Sequence, residues 1–245
     1  MAGRFYELDL SPSFMEELRE TLAEMVEPVR IDVFVGPNCE TCEDTVRLIR
    51  AFEEAAPEVR GRKLVEVRVF DKSNPDHASE FARQGIERVP SVTLIDGYIR
   101  YTGIPAGEEV RGLVETILRI SEGDSGLEEE TKRVLASLRK RVYIETIVTP
   151  SCPYCPYAVL LANMLAYESW KQGAKAVISD TVEAYENPDI ADKYAVMSVP
   201  AIALNGKMAF VGVPYEEDFI DYIVAAAEGR LDELVLKDFG DATSL

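Results

Sequence analysis

The residues best suited to chemistry in this 245-residue chain are its four cysteines, which form two tight pairs, Cys39-Glu40-Thr41-Cys42 and Cys152-Pro153-Tyr154-Cys155. Two intervening residues set the second thiol about one helical turn beyond the first, within reach of its sulfur. A thiol at the start of a helix faces unpaired N–H groups and the positive end of the helix dipole, both of which favour the thiolate. A partly buried geometry of this kind contributes up to about 2 kcal/mol, enough to bring a thiol from near 8.5 to about 7. On this reading Cys39 and Cys152 are the nucleophiles, and Cys42 and Cys155 resolve the mixed disulfides they form.

Several expectations attach to the neighbours of these pairs. Pro153 is expected at a favoured first helical position. Glu40 sets a negative charge beside Cys39 and opposes the dipole, so the first pair is expected to be the more reducing. Pro156, which has no N–H, is expected to distort the first turn after Cys155. Two other readings of the cysteines stay open. One is a four-cysteine zinc site, although 109 residues separate Cys42 from Cys152 where about 15 to 20 are usual. The other is a structural disulfide at each position. His77 reads as exposed in the first turn of a helix, and Met164, Tyr167 and Trp170 read as core.

The elements that must position the pairs recur. At an offset of 113 residues Cys39 meets Cys152, Pro37 meets Pro150, and Asn74-Pro75-Asp76 meets Asn187-Pro188-Asp189. After short deletions Val89-Pro90 matches Val199-Pro200, Asp96-Gly97 matches Asn205-Gly206, and Gly103-Ile104-Pro105 matches Gly212-Val213-Pro214. Ordered matches of this kind mark a duplicated unit. Each unit opens with a helix behind a capping box, Ser13-x-x-Glu16 running to about Met25 and Ser125-x-x-Glu128 running to about Leu138. An apolar, β-branched strand then leads into the Cys pair (residues 31–35 and 142–148), followed by a helix and a second strand (64–70 and 174–178). A short helix comes next, then two strands joined by Asp-Gly or Asn-Gly, a strong hairpin signal, and a closing helix (108–120 and 216–227). The predicted fold class is therefore α/β, with two tandem β-α-β, α, β-β-α domains, 1–122 and 123–245, each with an extra N-terminal helix. Residues 229–245 have weak periodicity and read as a tail, packed along the second unit.

Composition narrows the partners. There are 15 basic and 24 acidic side chains in residues 1–123, and 11 and 20 in residues 124–245, so each half carries −9. Neither half has the basic excess that would displace counterions from nucleic acid, and anionic membrane surfaces are disfavoured for the same reason. The N-terminus has no basic region followed by an apolar run, and no stretch approaches eighteen uninterrupted apolar residues, so a soluble, cytoplasmic chain is expected. No cofactor or metal is expected. With 29% charged residues, two Gln and one His, the composition leans toward a thermophile, in whose cytosol protein disulfides persist.

A strand, then Cys-x-x-Cys at a helix start, then Val-Pro before a terminal ββα unit resembles the thioredoxin and glutaredoxin superfamily. Cys152-Pro153-Tyr154-Cys155 matches the glutaredoxin motif, and the tandem arrangement resembles the protein disulfide oxidoreductases of hyperthermophilic archaea, similar in role to protein disulfide isomerase. The resemblance covers nearly the whole chain. It implies cis peptide bonds at Pro90 and Pro200 beside each disulfide, with Val89 and Val199 pairing to an extended substrate. Thioredoxins carry a buried acid six residues before the first cysteine, but those positions here are Val33 and Thr146. Asp32 and Glu145 lie one residue earlier, on the other strand face. Three functions follow: thiol-disulfide exchange on protein substrates, electron transfer from an NADPH-linked, thioredoxin reductase-like flavoenzyme to a peroxiredoxin, or non-catalytic holding of extended peptides.

Overall fold

The computed structural model describes residues 5, 6 and 8–234. The first half runs α1 (Pro12–Leu22), β1 (Val29–Val35), α2 (Cys42–Ala55), a two-stranded β2/β3 ribbon (Glu58–Val59, Arg62–Lys63), β4 (Val65–Asp71), α3 (Ala78–Gln84), β5 (Ser91–Leu94), β6 (Ile99–Thr102) and α4 (Glu109–Glu122). The second half runs α5 (Glu129–Ser137), β7 (Val142–Val148), α6 (Cys155–Lys171), β8 (Val177–Glu183), α7 (Pro188–Lys193), β9 (Ala201–Leu204), β10 (Lys207–Val211) and α8 (Glu216–Glu228). The mixed α/β class and the tandem repeat of elements are as predicted.

The β-branched runs that enter each Cys pair, β1 and β7, are central strands. Each pairs in parallel with the next long strand, β4 or β8, and antiparallel with the strand after its Val-Pro, β5 or β9. The Asp-Gly and Asn-Gly turns close the hairpins β5–β6 and β9–β10. The two halves are joined by a parallel pairing of β6 with β8, Ile99 opposite Ser179 through Thr102 opposite Val182, so one eight-stranded sheet runs β10-β9-β7-β8-β6-β5-β1-β4. One apolar core crosses that seam, from Ile31, Val33 and Phe52 through Leu113 and Ile117 to Val159 and Leu165. Within it sits a polar network. The fully buried Asn163 donates to Tyr101 Oη at 3.0 Å and Thr116 Oγ1 at 3.1 Å, and accepts from Ser179 Oγ at 2.8 Å. Buried amides are kept only when paired in this way.

Several local expectations are corrected. Ser11, not Ser13, caps α1, its Oγ accepting from Phe14 N at 3.3 Å, and the helix stops at Leu22. Pro12 fits because the first helical N–H needs no partner. Glu128 is the cap residue of α5, while Ser125 Oγ donates to the buried Glu168 at 2.7 Å. The second strand of the second half starts at Val177 because Gly173 and Lys175 have positive φ and turn the chain first. His77 is half-buried; its Nδ1 accepts from Asp71 N at 2.8 Å and its ring meets Phe70 edge-on. Pro156 lies within the first turn of α6 and breaks no helical hydrogen bond there, so no distortion follows. Met164 and Tyr167 are buried and Trp170 is half-buried, as read. The segment expected as a tail begins with Gly229, which caps α8, and continues through helical residues 231–234, with Leu231 buried. Residues 235–245 lie outside the described residues.

Candidate active site

Each Cys pair sits where a central strand gives way to a helix, at the carboxyl end of the sheet. β1 ends at Val35 and α2 begins at Cys42; β7 ends at Val148 and α6 begins at Cys155. Cys39 and Cys152 therefore lie in the turn just before the helix, and Thr41 and Tyr154 are the cap residues. Pro153 precedes the cap instead of opening the helix. Both pairs are closed disulfides with Cα–Cα distances of 5.5 Å. The four cysteines thus pair within their own halves, and among the described residues no cluster of three His, Cys, Asp or Glu comes together that could hold a metal ion.

Accessibility is graded within each pair. Cys39 is half-buried above Cys42, and Cys152 is 7% exposed above Cys155, which is fully buried. The N–H of Cys155 donates to Cys152 Sγ at 3.1 Å. That is the interaction the dipole argument requires, a helix N–H aimed at the sulfur that would carry charge. No equivalent bond to Cys39 Sγ is made among the described residues.

Val89-Pro90 and Val199-Pro200 are both cis, with each proline buried and each valine half-buried. Register places them beside the pairs: Phe34 faces Ser91 and Ile147 faces Ala201, so each proline stands at the strand end that leads to the cysteines. Pro90 O accepts from Gly103 N at 3.0 Å and Pro200 O from Gly212 N at 2.8 Å. The N–H and C=O of Val89 and Val199 make no hydrogen bond among the described residues, which leaves backbone free to meet an extended chain.

The surroundings of the two pairs differ. At the first, Cys39, Thr41, Val89 and Pro90 line a cavity of 270 Å³ whose other wall, Tyr185, Glu186 and Asn187, comes from the second half. Thr41 Oγ1 donates to Glu186 Oε2, and Ile104 N donates to Glu186 Oε1 at 2.6 Å. Burial raises the Glu186 carboxyl above its ordinary value and pushes neighbouring Glu183 up to about 7. Gly103 has φ +106, and a Cβ there would lie 2.7 Å from Glu183 Cβ, so only glycine allows this loop to close on the first pair. Gly212, its counterpart, has nothing within 4 Å. In the second half the exposed apolar side chains include Tyr154 at 67%, inside the Cys pair itself, Met197 at 96%, two residues before Val199, and Tyr215 at 78%, the cap residue of α8.

Asp32 and Glu145 are held away from the cysteines, as their strand face implied. Asp32 is buried in a bidentate pair with Arg68, both contacts 2.8 Å, and accepts from Gln84 at 2.7 Å. Glu145 accepts from Tyr194 Oη. Sequence reasoning missed Glu186, which lies 145 residues from Thr41 and in sequence reads as one more acidic loop residue.

A thioredoxin-domain model matches residues 29–115 and 143–224, taking in both Cys pairs and both cis-prolines. The chain belongs to the thioredoxin family. Among solved structures it is similar to a protein disulfide oxidoreductase from Aeropyrum pernix K1, with 61% identity, a TM-score of 0.91, and coverage of 94% of this chain and 98% of that one. It is 35% identical over 83 residues to a thioredoxin of Methanocaldococcus jannaschii, a match covering 34% of this chain and 93% of that protein. It is also 28% identical over 163 residues to an alkyl hydroperoxide reductase component of Pseudomonas aeruginosa, covering 63% of this chain but only 30% of that protein. With two closed Cys-x-x-Cys pairs on duplicated thioredoxin folds, this family member is a thiol-disulfide oxidoreductase. Among the described residues no helix is long and apolar enough to cross a membrane.

Proposed function

We propose that the chain exchanges disulfides with protein substrates through both pairs, Cys39 and Cys152 attacking and Cys42 and Cys155 resolving. The accessibility gradient within each pair carries this reading, because only the first cysteine of each can meet a bulky disulfide. In the reducing direction the Cys152 thiolate attacks a substrate disulfide, forming a mixed disulfide and expelling one substrate sulfur as thiolate. Cys155 then attacks Cys152 Sγ and expels the second. The substrate gains two electrons, and the pair is left as the disulfide. The same steps at Cys39 and Cys42 serve the first pair, and run backwards they oxidise a dithiol. Val89 with Pro90, and Val199 with Pro200, dock the substrate as a short added strand.

The two units, 1–122 and 123–245, are assigned separate access. The open apolar rim of Tyr154, Met197 and Tyr215 suits the second pair to bulky, partly unfolded protein, and the cavity over Cys39 suits the first to narrower segments. We place the chain in the cytoplasm, where an NADPH-linked flavoenzyme of the thioredoxin reductase class would re-reduce it. The similarity to a segment of the alkyl hydroperoxide reductase component favours a second reading, an electron carrier that passes reducing equivalents to a peroxiredoxin.

Two measurements separate these readings. Cys42→Ser and Cys155→Ser should accumulate mixed disulfides with protein substrates, whereas Cys39→Ser and Cys152→Ser should trap none. The parent protein should reduce insulin and refold a scrambled disulfide protein. Turnover with a peroxiredoxin and none with insulin or scrambled substrate would select the carrier reading, and trapping by Cys152→Ser but not Cys155→Ser would reverse the roles.

A further inference from the structure

Resting on the assignment of Cys155 as the resolving thiol, we propose that Glu109, on the first half, is the carboxylate that takes the proton from Cys155 and returns it. Cys155 is fully buried. A thiol there cannot pass its proton directly to water, and the strand before it supplies no acid on the cysteine side, since the position six residues before Cys152 is Thr146 and Glu145 is engaged by Tyr194 on the other face. A base must reach it from another element.

Helix α4 of the first half supplies one. It packs along α6, with Gly112 against Pro156 and Thr116 Oγ1 at 3.1 Å from Asn163 Nδ2. The residue numbers rise together, so the two helices run side by side in the same direction. Glu109 lies on the same face as Gly112 and Thr116, one turn above Gly112. Counting back one turn from Pro156 along α6 leads into the Cys152–Cys155 segment, whose last residue directly precedes Pro156. The preceding residues fix the height, because Glu108 N donates to Pro150 O at 2.9 Å and Gly107 packs on the same carbonyl.

Within this seam Glu109 is 1% exposed and neither carboxyl oxygen has a hydrogen-bond partner. A buried carboxyl without donors stays neutral to higher pH, and this one is pushed up to about 8, first by burial and then by the adjacent Glu108. The titratable groups that act on it are Glu108 on its own turn and Tyr101 of β6. The Tyr101 phenol is itself raised by burial and by Glu109. By contrast the acids that open α8 (Glu216, Glu217 and Asp218) stand at the surface or half-buried. The start of such a helix does not by itself bury a carboxyl.

In the disulfide state Glu109 holds the proton. When a donor thiolate attacks Cys152 Sγ, the S–S bond breaks, Cys155 leaves as thiolate, and Glu109 protonates it. In the resolving direction Glu109 as carboxylate accepts the Cys155 proton, and the new thiolate attacks Cys152 Sγ and expels the substrate sulfur. The proton stays on Glu109, which restores the disulfide state, and the expelled substrate thiolate takes its own proton from solvent.

The test uses the full chain with Cys39→Ser/Cys42→Ser, following release of a mixed disulfide from Cys152 as a function of pH. Glu109→Gln keeps the shape and removes the base. It should slow release at pH 7 by about 100-fold, the lower end of the general-base range, and lift the pH midpoint. Glu109→Asp should recover part of the rate. In the same variant carrying wild-type Cys39 and Cys42, with the second pair changed to serine, first-pair kinetics should be unaltered, which also reports a correct fold. An unchanged pH profile in Glu109→Gln overturns the proposal, as does equal slowing at both pairs. If Cys155→Ser traps no mixed disulfide, the assignment of Cys155 fails instead, and the two failures are distinguishable.

Discussion

Gly107 offers a sharp test of how far the first half supports the second pair. Its φ is +64, and an added Cβ would lie 2.3 Å from Pro150 O, with Pro150 two residues before Cys152. Gly85 is a matched control, with φ +65 and only the Arg100 guanidinium, at 3.6 Å, near its added Cβ. Replacing either with alanine incurs the left-handed backbone cost of about 1–2 kcal/mol, which cancels in the comparison. Gly107→Ala must in addition separate the start of α4 from the Pro150 carbonyl. That step loses the 2.9 Å bond from Glu108 N and leaves a buried acceptor unpaired, at about 1–3 kcal/mol, with about 1 kcal/mol or more for overpacking. Gly107→Ala should therefore be less stable than Gly85→Ala by about 2–4 kcal/mol in guanidinium unfolding. It should also change the alkylation rate of reduced Cys152 while leaving that of Cys39 alone. Two variants within about 0.5 kcal/mol of each other, the usual spread for a change that touches nothing, with unchanged Cys152 reactivity, would refute the idea that the first half holds the second Cys turn in place.

Separate equilibration of the two pairs with glutathione should find the first the more reducing by some tens of millivolts, since Glu40 and Glu186 add negative charge near Cys39, and about 30 mV corresponds to one pKa unit for a two-electron couple. Glu186→Gln should narrow that gap, and an equal or higher potential at the first pair would show that screening outweighs these charges. Glu109 binds its proton more tightly folded than unfolded, so its ionisation opposes the fold: stability should fall as pH rises from about 4.5 to about 8. Glu109→Gln should flatten that decline in unfolding midpoints measured at about pH 5 and about pH 9, which span most of that window, and parallel curves for parent and variant would count against it. Asn163→Leu should destabilise both halves together by roughly 2–4 kcal/mol, because it strands the Tyr101, Thr116 and Ser179 hydroxyls at the seam. Two separate unfolding transitions in that variant would mean the seam is not what unites the halves.

Local information in the sequence determined the Cys pairs, the strand-turn-helix that holds each, the hairpin turns at Asp96-Gly97 and Asn205-Gly206, and the Val-Pro positions. Each depends on spacing within a few residues, and the duplication states each twice. Helix caps were less legible. Ser11 and Ser13 are both good caps, and the choice fell to the chain direction set by Pro12. What only the tertiary structure decided is the relation between the halves. Pairing β6 with β8 buries the face of α4 against α6 and draws the 183–187 loop over Cys39. Glu109 and Glu186 are thereby desolvated by elements far away in sequence. The reason is physical: a carboxyl's proton affinity is set by the dielectric and donors around it, and those come from whichever segments the sheet seam brings together.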